Sequence, residues 1–360
     1  MIKKEIRSLI GFIEKKHLFL KTLLLSLCVM IPLYIYNMQR AYRTSFMFTV
    51  VYPSYPASIE AAKNSPALHK DFHERRRDSL AAMITGYENH DWDMMNAAYF
   101  DYLNQEQEVS LYTTYEAKLN LAEAEFLLGK GIEHELSDEY PIKGINFMMQ
   151  CSRLLFPFIF LLFSCYFLSV LFSYKDSDDN KYLKLVFGLS VLVSGGIFIH
   201  LLPYLIGSVC HGPSSLLYPY LFHDGYKAFF LPLTHLMLPG ICLLLLLSCS
   251  IYGLMRIISI IMKKQITSFF FGVIFCFGAF LLCNNSSSYT SISHLIPFTY
   301  IHISDIISGS LAVQYKNFHL TFLSGVINLS FFILSEFLVL TLLHKMQAKK
   351  SVIFVKQAIQ

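Results

Sequence analysis
Several apolar runs in this 360-residue chain approach or exceed the ~20 residues needed to cross a bilayer core, and no other feature constrains its fold as strongly. They fall at about 18–36, 147–172, 185–208, 228–254, 267–283 and 320–343. Only 15% of the residues are charged and 54% are hydrophobic, whereas soluble chains carry about 25% charged residues. The fold class that follows is an all-α polytopic membrane protein. It has six transmembrane helices and a helical extracytoplasmic insert between the first and the second.

That insert, residues 37–146, is the longest water-compatible stretch in the chain. Its start at Pro53-Ser-Tyr-Pro56 reads as an irregular lead-in, and helical periodicity takes over after Pro66. Leu68, Phe72, Leu80, Met83 and Tyr87 share one face, which ends at Asn89-His90. Trp92, Met95, Tyr99 and Leu103 form a second face behind Asp91, a natural N-cap. Tyr115, Leu119, Ala122 and Phe126 form a third, closed by Gly129-Lys130-Gly131. Three such helices joined by short polar turns can bury their apolar stripes against one another.

Orientation follows from the short connections, where lysine and arginine mark the cytoplasmic side. Five basic residues precede the first run, at Lys3, Lys4, Arg7, Lys15 and Lys16. Lys175, Lys181 and Lys184 lie between the second and third, Arg256, Lys263 and Lys264 between the fourth and fifth, and Lys345, Lys349, Lys350 and Lys356 in the tail. The opposite connections carry only Lys227 and Lys316. Both termini are therefore expected in the cytoplasm, with residues 1–17 as an amphipathic interfacial helix or a plain extension of the first span, residues 147–343 as five further spans, and 344–360 as a basic tail. The first run is too long for a signal-peptide core and lacks a small-x-small cleavage site.

Catalytic signatures are missing from the sequence. There is no GxxxxGK[ST] phosphate loop, no HExxH, no GxSxG and no paired-cysteine metal spacing. The eight cysteines lie mostly in or beside apolar runs and read as buried thiols, with Cys151, Cys210 and Cys283 near one outer face. A formal net charge of +4 on dispersed basic residues argues against nucleic acid as a partner. Within the apolar runs the ionisable residues are few, namely Glu336, His200 and His235, with Lys21 and Arg153 nearer the interfaces. A charge in hydrocarbon costs at least ~2.5–3.5 kcal/mol, so these three form the candidate intramembrane polar site. The competing reading makes Glu336 a hydrogen-bonding partner of a neighbouring helix or a subunit seam, and the histidines ordinary core or cavity residues. Arg75-Arg76-Arg77 reads as a solvated helix face, with docking of an acidic partner as the alternative. The loop Lys175-Asp-Ser-Asp-Asp-Asn-Lys181 reads either as a solvated turn or as a surface gripped by a motor subunit.

Several stretches resemble the permease subunit of bacterial ABC exporters of the type-2 permease class, in the branch with an enlarged first outer loop. They are Asp91-Trp-Asp93, Tyr140-Pro-Ile-Lys-Gly-Ile-Asn-Phe147, Gly212-Pro-Ser-Ser-Leu-Leu-Tyr-Pro219, and Ile296-Pro-Phe-Thr-Tyr300 followed by Ile303-Ser-Asp-Ile-Ile-Ser-Gly309. The chain departs from that pattern after the second span, where Asp178-Asp-Asn-Lys-Tyr-Leu183 keeps a degenerate acidic stretch and the following Pro-x-Ser-Arg turn is missing.

The resemblance implies a dimer with a second permease copy or a paralogue, in the bacterial cytoplasmic membrane, above a separate ABC ATP-binding subunit that holds ATP and magnesium. This chain would hold no cofactor of its own and would not itself be an enzyme. Lys175, Asp176, Asp178, Asp179, Lys181, Tyr182 and Leu183 would couple to the ATPase, and the cargo would be a hydrophobic or peptide-like substrate such as a bacteriocin, toxin or pheromone, or else a drug or lipid. The alternative function is a non-transporting membrane sensor or immunity protein that binds peptides through its outer domain.

Overall fold
The computed structural model describes residues 10–11, 14, 17–110, 114–137, 139–174, 181–285 and 287–359. The protein is an all-α polytopic membrane protein. Among the described residues six helical segments are long and apolar enough to cross a bilayer, and one short β-hairpin interrupts the helices. This follows from the solvent: hydrocarbon offers no hydrogen-bond partners, so each crossing segment must satisfy its own backbone, as a helix does. The helices are α1 (Leu18–Thr44), α2 (Tyr52–Asn64), α3 (Ala67–Glu88), α4 (Trp92–Val109), α5 (Tyr115–Leu127), α6 (Gly144–Leu154), α7 (Phe156–Ser173), α8 (Lys181–His211), α9 (Met237–Met262), α10 (Gln265–Asn285), α11 (Ser287–Thr290), α12 (Ile303–Ile307), α13 (Ser310–Tyr315) and α14 (Phe322–Ile359). The chain divides into two compact units, one of residues 1–28, 152–200 and 238–360, the other of 29–151 and 201–237.

In the second of these, the π-helical turn Met47–Val51 joins α2–α4 around a core of Met47, Val51, Leu80, Met83, Met95, Ala98 and Tyr102, while Leu127 of α5 packs in a separate cluster with Ile132 and Tyr218. The expected irregular stretch at Pro53–Pro56 is in fact helical. Pro53 falls in the first turn of α2, where a missing N–H costs least, whereas Pro56 lies inside the helix and supplies no N–H for the Tyr52 carbonyl; the preceding π turn carries the Tyr52 N–H back to the Met47 carbonyl. Asp91 caps α4 by accepting from the Met94 N–H at 3.1 Å, and Thr114 caps α5 by accepting from the Ala117 N–H at 3.1 Å. Beyond α5, the chain is tied back by the Gly131 N–H donating to Asp93 Oδ1 (2.6 Å) and by Asn96 Nδ2 donating to the Ile132 carbonyl (2.9 Å).

The hairpin β1 (Pro219–Asp224) and β2 (Lys227–Pro232) corrects a second expectation, since Ala228–Pro232 was read as the start of the fourth span. Gly225, at φ +59°, opens the two-residue turn, and the antiparallel register pairs Tyr220 with Leu231 and Phe222 with Phe229. Close by in this unit, α6 and α8 meet backbone to backbone. A Cβ on Gly207 would stand 2.8 Å from the Gly144 Cα and 2.9 Å from its nitrogen, and the Gly144 N–H donates to the Gly212 carbonyl at 3.3 Å.

In the first unit, α7 is the central helix. Phe156, Phe160, Phe163, Phe167 and Leu171 are all buried. The second span was expected as one continuous helix, but it breaks at Leu155 between α6 and α7. Pro157 supplies the cause: it has no N–H to return to the Arg153 carbonyl, and its ring crowds that oxygen. Gly195 of α8 faces the Phe163 ring with no room for a Cβ between them. Small residues at such crossings bring helices into full van der Waals contact where water is not available to drive them together. The outward positions of α14, including Leu323, Ile327, Phe331, Leu334 and Leu338, are apolar and exposed, as a face against lipid should be. The connection before α14 holds α11–α13 and two 3-10 turns.

The backbone contact at Gly207 gives the first prediction. Gly207→Ala should lower the thermal unfolding midpoint of the detergent-purified protein, because the new methyl meets backbone, costing about 1–3 kcal/mol. Gly278→Ala, where a Cβ meets nothing within 4 Å, should be neutral or slightly stabilising. Equal midpoints for the two variants would contradict the contact.

Candidate functional site: an intramembrane cavity and its polar neighbours
The last turns of α7 and α9, the first turns of α8 and the middle of α14 enclose a cavity of about 650 Å³. Tyr174 contributes from the end of α7, and Tyr182, Lys184, Leu185 and Leu189 from α8. Cys249, Tyr252, Gly253 and Arg256 line it from α9, and Ile333, Glu336, Phe337, Leu340, Thr341 and His344 from α14. Helical spacing explains the α14 set, since 333, 336, 337, 340, 341 and 344 recur at intervals of three and four on one face.

Glu336 lies against Gly253, where a Cβ would collide with the carboxylate, so glycine on α9 makes the space that the acid occupies. Glu336 is only 5% exposed, and neither carboxylate oxygen makes a hydrogen bond of ordinary geometry among the described residues. The cations in the lining are held elsewhere. Lys184 Nζ donates to the Tyr174 carbonyl at 2.7 Å, and the Arg256 guanidinium lies 5.1 Å over the Phe172 ring. The His344 Nδ1 sits 2.7 Å from the Leu340 carbonyl.

The three intramembrane candidates are therefore not one site. His200 stacks on Phe156 with ring centroids 3.9 Å apart, and its Nδ1 is 2.7 Å from the Ser152 hydroxyl, which makes it a partnered packing residue. His235 is exposed in a 3-10 turn ahead of α9, with its Nδ1 3.1 Å from the Pro232 carbonyl. Glu336 alone lines the cavity. Of the proposed coupling residues, Lys175, Asp176, Asp178 and Asp179 lie outside the described residues, as does the Lys181 side chain. Lys181 begins α8, Tyr182 is exposed and lines the cavity, and Leu183 is half-buried.

Two further polar clusters organise the connections. Glu135, buried in its unit, accepts from the Asn146 side chain at 2.9 Å and from the backbone N–H groups of Leu136 (3.2 Å), Ile142 (3.4 Å) and Lys143 (3.4 Å). Burial raises its pKa, against the opposing pull of Lys143, Asn146 and those N–H groups. Lys143 in turn pairs with Glu133 at 2.8 Å and donates to the His134 carbonyl at 2.7 Å. The stretch 140–147 is thus wrapped around a buried carboxylate. In the other unit, Asp305 is 7% exposed and pairs with Arg153 at 2.8 Å, with His302 Nδ1 at 3.9 Å from its other oxygen. Burial holds the His302 imidazole below its ordinary range, with Asp305 opposing and Arg153 reinforcing.

The arginine run behaves as a solvated face. Arg75 pairs with Asp71 and Glu108, Arg76 with Glu106, and Arg77 with Asp78. Cys151 and Cys210 are free thiols, and the Cys283 side chain lies outside the described residues. Among the described residues no group of three or more His, Cys, Asp or Glu could hold a metal ion.

No family model, curated protein or solved structure matches this chain.

What sequence reasoning missed is the company of Glu336. Gly253 and Arg256 stand three apart at the end of an apolar run, and a small residue one turn ahead of a cation was the available signal. The pairing of Arg153 with Asp305 spans 152 positions and left no local trace.

The His302 environment sets a pH prediction. A histidine whose folded pKa is depressed binds its proton only in the unfolded chain, over the window running down from the ordinary value of about 6.5. Stability therefore falls as pH falls through that window. The unfolding midpoint should drop between about pH 7.5 and about pH 5.5, and His302→Gln should lose less over the same interval. An identical drop in both proteins would contradict the assignment.

Proposed function
We propose that this chain is the membrane-spanning permease subunit of an ATP-driven exporter, working as a dimer above a separate ATP-binding subunit. The observation that supports the reading best is the cavity. It is large enough for a drug-sized molecule, apolar over most of its lining, and carries a few placed polar groups, as small-molecule sites do. Its walls come from α8, α9 and α14, which are three separate candidate spans, so relative movement of those helices would open or collapse it. On the charge bias of the short connections, the end of the cavity bearing Lys184, Arg256 and His344 faces the cytoplasm. That is the side from which an exporter loads. The resemblance of five local stretches to type-2 exporter permeases supports this reading, and in such an exporter a chain without a phosphate loop would draw ATP hydrolysis from a partner.

A second reading rests on the outer helices. An open groove of about 960 Å³ runs between α3 and α4, lined by Arg75, Asp78, Ala82, Met94, Ala98, Asp101 and Glu108. Such a mixed surface suits capture of a peptide by a non-transporting sensor or immunity protein.

ATP-dependent movement separates the two readings. If a neighbouring reading frame encodes an ATP-binding protein with a phosphate loop, the co-expressed chain should co-purify with it, and inverted vesicles should accumulate an apolar peptide or dye only with ATP. Deletion of residues 175–181 should abolish both. Complex formation and uptake that are unchanged by the deletion would sink the coupling assignment, and peptide binding without ATP-dependent uptake would select the sensor.

A further inference from the structure
We propose that the cavity at Glu336 takes an apolar organic cation, with the Glu336 carboxylate as its counter-charge. The proposal deepens the reading of the cavity as the permease's ligand site and names the class of ligand. A carboxyl taken out of water needs a compensating charge, a set of hydrogen bonds or a proton. Glu336 is 5% exposed, its one neighbouring donor is the backbone N–H of Leu254, outside ordinary hydrogen-bond geometry, and no described cation lies within ion-pair distance. Its neighbour on α9 is Gly253, whose missing side chain makes the space the carboxylate occupies and offers it no donor.

The charged and titratable groups facing the cavity divide in a way that favours a cation. Lys184 from α8 is turned onto the Tyr174 carbonyl, Arg256 from α9 covers the Phe172 ring, and His344 lies against its own helix at the Leu340 carbonyl. Cys249 and Tyr252 from α9 are the remaining titratable groups in the wall near the acid, with Tyr174 and Tyr182 at the rim. Each lining cation thus has a partner, while Glu336 has no ion-pair partner among the described residues. An anionic ligand would be pushed against Glu336. A cation would meet a carboxylate at low dielectric, where the attraction is stronger than in water, in a cavity that Tyr252 and Phe337 also line. The apolar walls at Leu189 and Ile333 favour a cation that is weakly hydrated and carries its own hydrophobic shell over a small inorganic ion, which dehydrates reluctantly.

Tetraphenylphosphonium and tetraphenylborate test this directly, since they share size and shape and differ in sign. The full chain in nanodiscs, without ATP or any partner, should bind the phosphonium saturably by equilibrium dialysis and bind the borate more weakly. Glu336→Gln should weaken phosphonium binding by about tenfold or more, and Glu336→Asp should retain most of it. Equal affinity in Glu336→Gln, or preference of the wild-type chain for the borate, would overturn the proposal. The wild-type protein gives an independent readout that survives a poorly folding variant. Phosphonium should protect Cys249, half-buried in the cavity wall, from maleimide as followed by mass spectrometry of its peptide. Undiminished labelling of Cys249 at saturating phosphonium would overturn it as well. Because neither measurement uses ATP, loss of ATP-driven export with intact phosphonium binding would defeat the exporter reading and leave the ligand class standing.

Discussion
The structure depends on one constraint: helices that run through hydrocarbon must satisfy their own backbones and then find one another without help from water. Close approach supplies the attraction. At Gly207 and Gly144 two helices touch through backbone atoms, and at Gly195 the Phe163 ring fills the place of a side chain. Each glycine gives up local helix propensity, about 0.5–1 kcal/mol relative to alanine, in return for contact area that a larger residue would prevent. The same device at Gly253 makes room for Glu336. Packing and the candidate site are therefore produced by the same means, with glycine setting the distance between helices and the neighbour using the space.

The parts of the fold written in short-range pattern were legible before any coordinates. Of the face Leu68, Phe72, Leu80, Met83 and Tyr87, α3 buries Leu80 and Met83, half-buries Phe72 and Tyr87 and leaves Leu68 exposed; the helix ends at Glu88 beside the anticipated Asn89-His90, and Asp91 caps α4 through its own carboxylate. Period and capping are local, so a sequence carries them openly. The misread segments were those where two local rules compete. Pro53 and Pro56 signal irregularity by composition, yet the helix takes Pro53 in its first turn and continues through Pro56. Ala228–Pro232 is apolar enough to read as membrane, yet the Gly225 turn folds it back onto Pro219–Asp224. Pro157 splits a run that hydropathy alone treats as continuous.

The candidate site was legible only in outline. Intramembrane ionisable residues could be picked out by cost, and Glu336, His200 and His235 were the result. Sequence could not sort them, because the sorting depends on partners far along the chain. Ser152 and Phe156 satisfy His200 from 48 and 44 positions away, whereas Gly253 faces Glu336 across 83 and gives it nothing to bond. The buried Asp305 with Arg153, and Glu135 beneath the 140–147 stretch, show the opposite outcome for a buried acid, with donors gathered on each carboxylate. Against those two, the unsupported carboxylate in the cavity stands out as a group that a ligand would complete.

The account's central claim is that the chain crosses the membrane six times, with the insert between the first two spans and the short basic connections on opposite faces. Labelling of single cysteines with a membrane-impermeant maleimide in intact cells measures this most directly. In a cysteine-free background, Glu74→Cys in the insert should label from outside, and Lys263→Cys should label only after permeabilisation. Labelling of both positions from the same side would contradict the six-span topology and, with it, the placement of the cavity mouth toward the cytoplasm.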